Sequence, residues 1–234
     1  MQKLLSQKTA LLIGASRGLG FAMVEEYLKR GWRVIGTARA SSGDKLRRIA
    51  GASNGMLEVE TLDITDPEQV TALRSRLETR KIDLLFVNAG IKNDDRETIA
   101  DVSTEEFVRV MVTNSLSPMR AIETLQDLVP PTGTIGVMSS GQGSLTNNTN
   151  GNYELYRGSK AALNMFMRSF AARHAGDTRT LLLMAPGWVR TDMGGSEARL
   201  NIDESIPNLV NTIGAYEEKA GLHYLDYLGR IVPW

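Results

Sequence analysis

The feature that most constrains this chain is an alternation. Short apolar runs (Ala10–Ile13, Val34–Thr37, Leu57–Leu62, Leu84–Val87, Ile135–Met138 and Leu181–Met184) recur between longer stretches with helical spacing. Such runs are too short for buried helices and are bounded by Gly, Asn or polar residues, as strands covered on both faces should be. Between them, Leu19–Arg30 carries Ala22, Met23 and Tyr27 at helical spacing and stops at Gly31, a C-terminal signal. Asp66-Pro67 sets an N-cap acid before a proline at the first helical position. Ser103 with Glu106 predicts a capping box. Alternation of this kind predicts an α/β fold, a Rossmann-type doubly wound parallel sheet with helices on both faces. With no internal repeat, low-complexity tract or linker, residues 1–234 read as a single domain.

Composition excludes several kinds of chemistry. The 27 basic and 27 acidic side chains cancel, so there is no electrostatic footprint for a nucleic acid or an anionic membrane. A basic site must therefore be local. The absence of cysteine removes disulfides, thiolate catalysis and Cys-ligated zinc. His174 and His223 lack metal-ligand spacing, so no metal is expected. The start, Met1–Thr9, is short and polar, and the apolar run after it ends in glycines. It reads as neither a signal peptide nor a membrane span, and the cytoplasm is the expected compartment.

The first apolar run ends in Gly14-Ala15-Ser16-Arg17-Gly18-Leu19-Gly20, and a helical pattern follows at once. Glycines there let the backbone turn sharply and approach a pyrophosphate, while the helix start offers free N–H groups and a positive dipole end. The spacing is GxxxGxG, and no GK[ST] follows, so the loop is not that of a P-loop NTPase. A ligand-free strand-to-helix turn is the alternative. The second run closes on Ala38-Arg39. An NAD site would place an acid here for the ribose hydroxyls, whereas a guanidinium pairs with a 2′-phosphate. Arg39, with Arg17 as a second cation, therefore points to NADPH (NADP+).

Further along stand Asn88-Ala89-Gly90, Asn114, Ser139-Ser140, and Tyr156 with Lys160. On a helix, Tyr156 and Lys160 at i and i+4 share one face. An ammonium beside a phenol, with the positive nicotinamide of the oxidised cofactor, stabilises phenolate and is expected to lower its pKa, making it a usable acid or base near neutrality. Tyr153 is the rival phenol, but its i+4 partner is Arg157, which does not give up a proton. A Tyr four residues before a Lys is a weak signal alone; in this order, after these turns, it is strong.

With the glycine loop, the Asn-Ala-Gly turn, the Ser and YxxxK set, and Pro186-Gly187 followed by Thr191, the chain resembles the short-chain dehydrogenase/reductase family over nearly its whole length. The resemblance implies an oxidoreductase that reduces an aldehyde or ketone by hydride transfer, with Tyr156 as general acid/base. It further implies that Ser140 holds the substrate oxygen, that Lys160 also binds the nicotinamide ribose, and that Asn114 fixes a relay water. Asp63, followed by Ile64, would accept from the adenine amine. Asn88, Ala89 and Gly90 would pack on the adenosine, and Val189 and Thr191, after Pro186-Gly187, would hold the nicotinamide carboxamide or the pyrophosphate. The interval from Ser140 to Tyr156 is longer than the family's usual one. The Asn-rich stretch Gly141–Asn152, the stretch Pro186–Gly195 and the ending Ile231-Val232-Pro233-Trp234 look like the C-factor and sniffer-type carbonyl reductases. That subgroup leaves open a second reading, an NADPH-binding sensor or signalling protein with little turnover. Substrate walls are expected from Gly141–Asn152, Ile91–Glu97 and Arg190–Asn208. The helix carrying Tyr156 continues through Leu163, Met165, Phe166, Met167 and Phe170, apolar beyond one stripe, so a homodimer or homotetramer is expected.

Overall fold

The computed structural model describes residues 7–234. The reading of Met1–Thr9 therefore lies outside the described residues up to residue 6. Seven strands form one sheet: β1 Thr9–Ile13, β2 Arg33–Ala38, β3 Leu57–Thr61, β4 Leu84–Val87, β5 Thr134–Met138, β6 Thr180–Ala185 and β7 Gly221–Asp226. The order is β3-β2-β1-β4-β5-β6-β7, and every neighbouring pair is parallel. Six strands grow from the expected apolar runs. The seventh was not anticipated, because an edge strand buried less completely needs no continuous apolar run, and Gly-Leu-His-Tyr-Leu-Asp has none.

Side-chain alternation divides the core into two layers. Leu11, Ile13, Leu85, Val87, Ile135, Val137, Leu181 and Leu183 face one side, where Val70 and Leu73 of α3 (Pro67–Arg76), Ile122 and Leu125 of α5 (Ser117–Leu125) and Leu163, Met167 and Phe170 of α6 (Glu154–Arg173) cover them. Their neighbours Ala10, Leu12, Leu84, Phe86, Leu182 and Met184 face the other side. There they meet Met23, Val24 and Tyr27 of α1 (Gly18–Lys29), Leu46 of α2 (Asp44–Gly51) and Ile206, Leu209 and Ile213 of α7 (Ile202–Ala215). The sheet is thus doubly wound, as the alternation predicts.

The caps follow the local chemistry. Asp66 accepts from the Glu68 and Gln69 N–H groups at 2.9 and 3.3 Å, with Pro67 opening α3. Ser103 accepts from the Glu106 N–H at 3.1 Å and caps α4 (Thr104–Met111), but the expected capping box is only half formed. The Glu106 carboxylate is drawn to Arg109 at 2.7 and 2.6 Å, a charge-assisted pair that outcompetes a neutral backbone donor. At the start of α7 the Glu204 carboxylate instead turns back to accept from the Asn201 N–H at 2.7 Å. Between α4 and α5 the helix widens into a π-type turn over Val112–Leu116. Among the described residues, no helix is long and apolar enough to cross a membrane, and no group of acidic or histidine side chains is placed to hold a metal ion.

Candidate active site

The sheet order reverses between β1 and β4, and ligands of doubly wound sheets bind in the crevice at the carboxyl ends flanking such a reversal. Gly14 leaves β1 at that point with φ of 86°, and a Cβ there would stand 2.7 Å from the Ala89 nitrogen. At Gly20 a Cβ would lie 2.1 Å from the Gly14 carbonyl oxygen. Both positions thus exclude a side chain, and the turn closes tightly. Asn88 braces it, donating from Nδ2 to the Gly14 carbonyl at 2.9 Å, while Thr37 Oγ1 accepts from the Gly14 N–H at 3.1 Å. The start of α1, beside Ser16, Arg17, Gly18 and Leu19, carries no side-chain cap and no acid in its first turn. Unlike α3 and α4, it keeps its donors free for an anion, and the cradle fits a dinucleotide pyrophosphate.

The cations lie nearby. Arg39 is exposed at the end of β2 and has no ion-pair partner among the described residues. Arg17 meets Asp192 at 2.9 Å, with both side chains largely in solvent. Asp63 follows β3 and accepts from the Thr65 N–H and hydroxyl through one oxygen, at 2.9 and 2.7 Å. Ile64 beside it is buried. Across the crevice, Pro186 and Val189 are buried and Gly187 turns with φ of 83°. The Thr191 methyl approaches the place of a Gly18 Cβ to 3.9 Å, so this segment closes on the glycine loop.

The second constellation is buried deeper. The π-type turn rotates Asn114 inward, where Oδ1 accepts from the Ile91 N–H at 2.8 Å. Its Nδ2 donates to the Ile91 carbonyl and to Ser159 Oγ, at 2.8 and 2.9 Å. A widened turn at such a residue is a common way to re-aim a side chain at a functional site. Lys160 is buried and donates from Nζ to the Met138 carbonyl at 2.9 Å, and a Cβ at Gly90 would touch both this Nζ and Asn114 Oδ1 at 3.4 Å. Ser139 and Ser140 diverge. The Ser139 hydroxyl is buried against Asn164 Oδ1 at 2.6 Å, whereas the Ser140 hydroxyl lies beside Tyr156 and also accepts from the Gln142 N–H.

In the free protein, without the cofactor's positive ring, burial sets the protonation of this pair. Burial pushes the Tyr156 phenol up to about 12, with the adjacent Ser140 hydroxyl pulling it partly back and Tyr224 adding to the rise. Lys160 stands 5.8 Å from the centre of the Tyr156 ring, and its own burial brings it down to about 8. In the free protein, exclusion of water therefore outweighs the lysine's charge. Tyr153, the rival, caps α6 in a left-handed conformation with φ of 62°, and Arg157 is spent on the loop, bonding Asn152 and Asn150 at 2.5 and 3.0 Å. A cavity of about 330 Å³ opens in front of Tyr153, between residues 95–98 and 150–154. It joins two of the expected substrate walls.

Sequence reasoning missed Tyr224, Asn164 and Thr37. Thr37 is one residue short of the position read for an acid, and Tyr224 lies on the unanticipated strand. Only strand register brings either to the site.

A glycine-turned helix start at the reversal of a parallel sheet defines the class: a Rossmann-type nucleotide-binding scaffold. The chain belongs to the short chain dehydrogenase family, whose model matches residues 8–200. It is therefore a nicotinamide-nucleotide-dependent oxidoreductase. A Burkholderia multivorans protein described as a short-chain dehydrogenase/reductase, solved with bound NADP, is 59% identical with a TM-score of 0.96, covering 97% of this chain and 100% of that one. A carbonyl reductase from Pseudomonas aeruginosa in complex with NADP is 33% identical, TM-score 0.90, over 98% of this chain and 100% of that one. The C-signal of Myxococcus xanthus is 32% identical over 158 residues, 67% of this chain and 95% of that protein.

Proposed function

We propose that this chain is an NADPH-dependent carbonyl reductase, one domain in which Tyr156 delivers the proton to the substrate oxygen. The observation that carries the reading is the meeting of the Ser140 hydroxyl, the Tyr156 phenol and the Lys160 ammonium at the sheet's carboxyl edge, next to the uncapped start of α1. Bound NADPH supplies the hydride. Ser140 donates to the carbonyl oxygen and polarises it. Tyr156, whose phenol is protonated at neutral pH, gives its proton to that oxygen as negative charge develops. Lys160, brought down to about 8, exchanges protons close to neutrality and so reloads the phenol. Asn114, locked on Ile91 and Ser159, holds the relay water beside Lys160. The carbonyl compound enters between the expected walls, Ile91–Glu97, Gly141–Asn152 and Arg190–Asn208, to reach Tyr156.

The acid-free end of β2 supports NADPH over NADH. Arg39 has no competing partner among the described residues, and the Arg17–Asp192 pair is exposed and weak enough to yield to a 2′-phosphate. The NADP-bound relatives support it as well. NADPH is expected to bind at least about tenfold more tightly than NADH, close to 1.4 kcal/mol. Equal dissociation constants, or a preference that survives Arg39→Ala with Arg17→Ala, would refute this.

The likeness to C-signal favours a second reading, a sensor or signalling protein that binds NADPH with little turnover. A sensor needs the glycine loop and Arg39 but not a buried lysine behind a tyrosine. NADPH consumption against aldehydes, ketones, diketones and quinones separates the two. Turnover of a carbonyl supports the reductase; tight NADPH binding with no turnover of any class supports the sensor.

A further inference from the structure

The residue pairing β5 to β6 to β7 aligns Val137, Leu183 and Tyr224 across the sheet, all on the face covered by α6. Tyr224 is 3% exposed, and from the edge strand its hydroxyl reaches over β6 to donate to the Ser140 carbonyl. Beyond the end of β5, the Ser140 carbonyl takes the Gly143 N–H at 2.9 Å within the following turn, and the Tyr224 hydroxyl is its second donor and the one that ties it to the sheet. The same hydroxyl stands among Ser139 and Asn164, and Asn164 in turn donates to the Gly143 carbonyl at 3.1 Å. One phenol thereby gathers the turn from Ser139 to Gly143 against α6. Its ring is held from outside by Trp234, 5.6 Å away, whose carbonyl takes the Thr146 N–H and hydroxyl at 3.0 and 2.6 Å.

We propose that Tyr224 is a positioning residue for Ser140: its hydroxyl, bonded to the Ser140 carbonyl, fixes the direction of the Ser140 side chain towards Tyr156. The physical case is one of fixed points. Ser140 has extended backbone, φ −162° and ψ 148°, and leads into the short turn Gly141-Gln142-Gly143, whose hydrogen bonds to Ser140 are local and do not fix it relative to the sheet. Its side chain must contribute a hydrogen bond at a set point beside the Tyr156 phenol. A displacement of about 1 Å in such a group can cost up to about a hundredfold in rate. An anchor on the carbonyl of the same residue removes that freedom without entering the substrate space. The role rests on the reading of Ser140 given above.

The test is a double-mutant cycle in the full-length protein with NADPH and the best carbonyl from the screen. Tyr224→Phe keeps the ring against Trp234 and removes only the hydroxyl. It is expected to lower kcat about tenfold while KM for the carbonyl and Kd for NADPH, measured by fluorescence titration, stay within about twofold. In a Ser140→Ala background the same change should have no further effect, because the group being aimed is gone. An equal loss in both backgrounds, no loss at all, or a loss seen only in KM would overturn the role. If Ser140→Ala alone turns over at the parent rate, the reading of Ser140 fails first and Tyr224 with it, a different pattern from failure of Tyr224 alone. Should Tyr224→Phe not fold, Trp234→Leu loosens the ring while leaving the hydroxyl. Its smaller kcat loss must likewise vanish with Ser140→Ala, and a loss that persists there overturns the proposal.

Discussion

At the residue scale, Tyr156 and Lys160 are tuned in opposite directions by one cause, the exclusion of water, which raises a group that ionises to an anion and lowers one that carries a cation. A phenol that stays protonated is suited to giving a proton. Tyr156→Phe is expected to retain NADPH binding while losing reductase activity by about a hundredfold or more; a near-parental rate on the best carbonyl would remove Tyr156 from the role. Lys160 has a thermodynamic signature. Its folded value near 8 lies below the ordinary 10.4, so between those pH values the unfolded chain binds more protons than the folded one. The burden of a buried charge is therefore full below about pH 8 and is relieved as pH rises towards 10.4. Denaturation midpoints of the free protein, compared with Lys160→Met, should show a stabilising contribution that grows across this window only in the parent. Parallel pH profiles would disprove it. The residue types of this site were legible in the sequence because their chemistry is local: a Tyr and a Lys one helical turn apart, an Arg where an acid was expected. The balance of burial against charge was not, since it depends on how much water β5 and α6 together exclude.

At the scale of elements, each helix start records its task. Those of α3 and α7 are closed by their own side chains, whereas that of α1 is left open at the sheet reversal. Asp66→Ala removes three acceptor contacts from the first turn of α3, those to the Glu68 and Gln69 N–H groups and to the Gln69 side-chain amide, and is expected to destabilise the fold by about 1 kcal/mol. For a chain of this size that is a drop of roughly 2–4 °C in Tm, with kcat unchanged. A fall in kcat at constant Tm would contradict the purely structural role. Asp66-Pro67 could be read from sequence because a cap acts on backbone two and three residues away. Glu106 was misread because a competitor, Arg109, sits at the same short range with a charge. The strand β7 escaped notice for the opposite reason. Its residues look unremarkable until the register sets Tyr224 opposite Leu183 and within reach of Ser140.

At the scale of the whole molecule, the apolar excess of α6 demands an explanation. Its inner stripe, Leu163, Met167 and Phe170, is buried on the sheet. The tail and the long loop cover one flank, with the Trp234 ring under the Arg168 guanidinium at 4.9 Å and its carbonyl holding Thr146. They do not reach Met165 and Phe166, which stay 60% and 44% exposed. The helix α4 packs beside α6 and presents Phe107 and Val108, also exposed. Two adjacent helices with open apolar side chains offer a face that a second copy can cover across a two-fold axis, the commonest symmetry by which such faces are closed. The protein is therefore expected to be a homodimer across α4 and α6. Light scattering at micromolar concentration should give twice the 25.7 kDa of one chain, and Met165→Lys with Phe166→Lys should return it to one chain without loss of NADPH binding. Because the tail already shields the other flank, the dimer needs only this one face. A mass near that of a single chain across the concentration range, or a dimer indifferent to both lysines, would defeat the assignment.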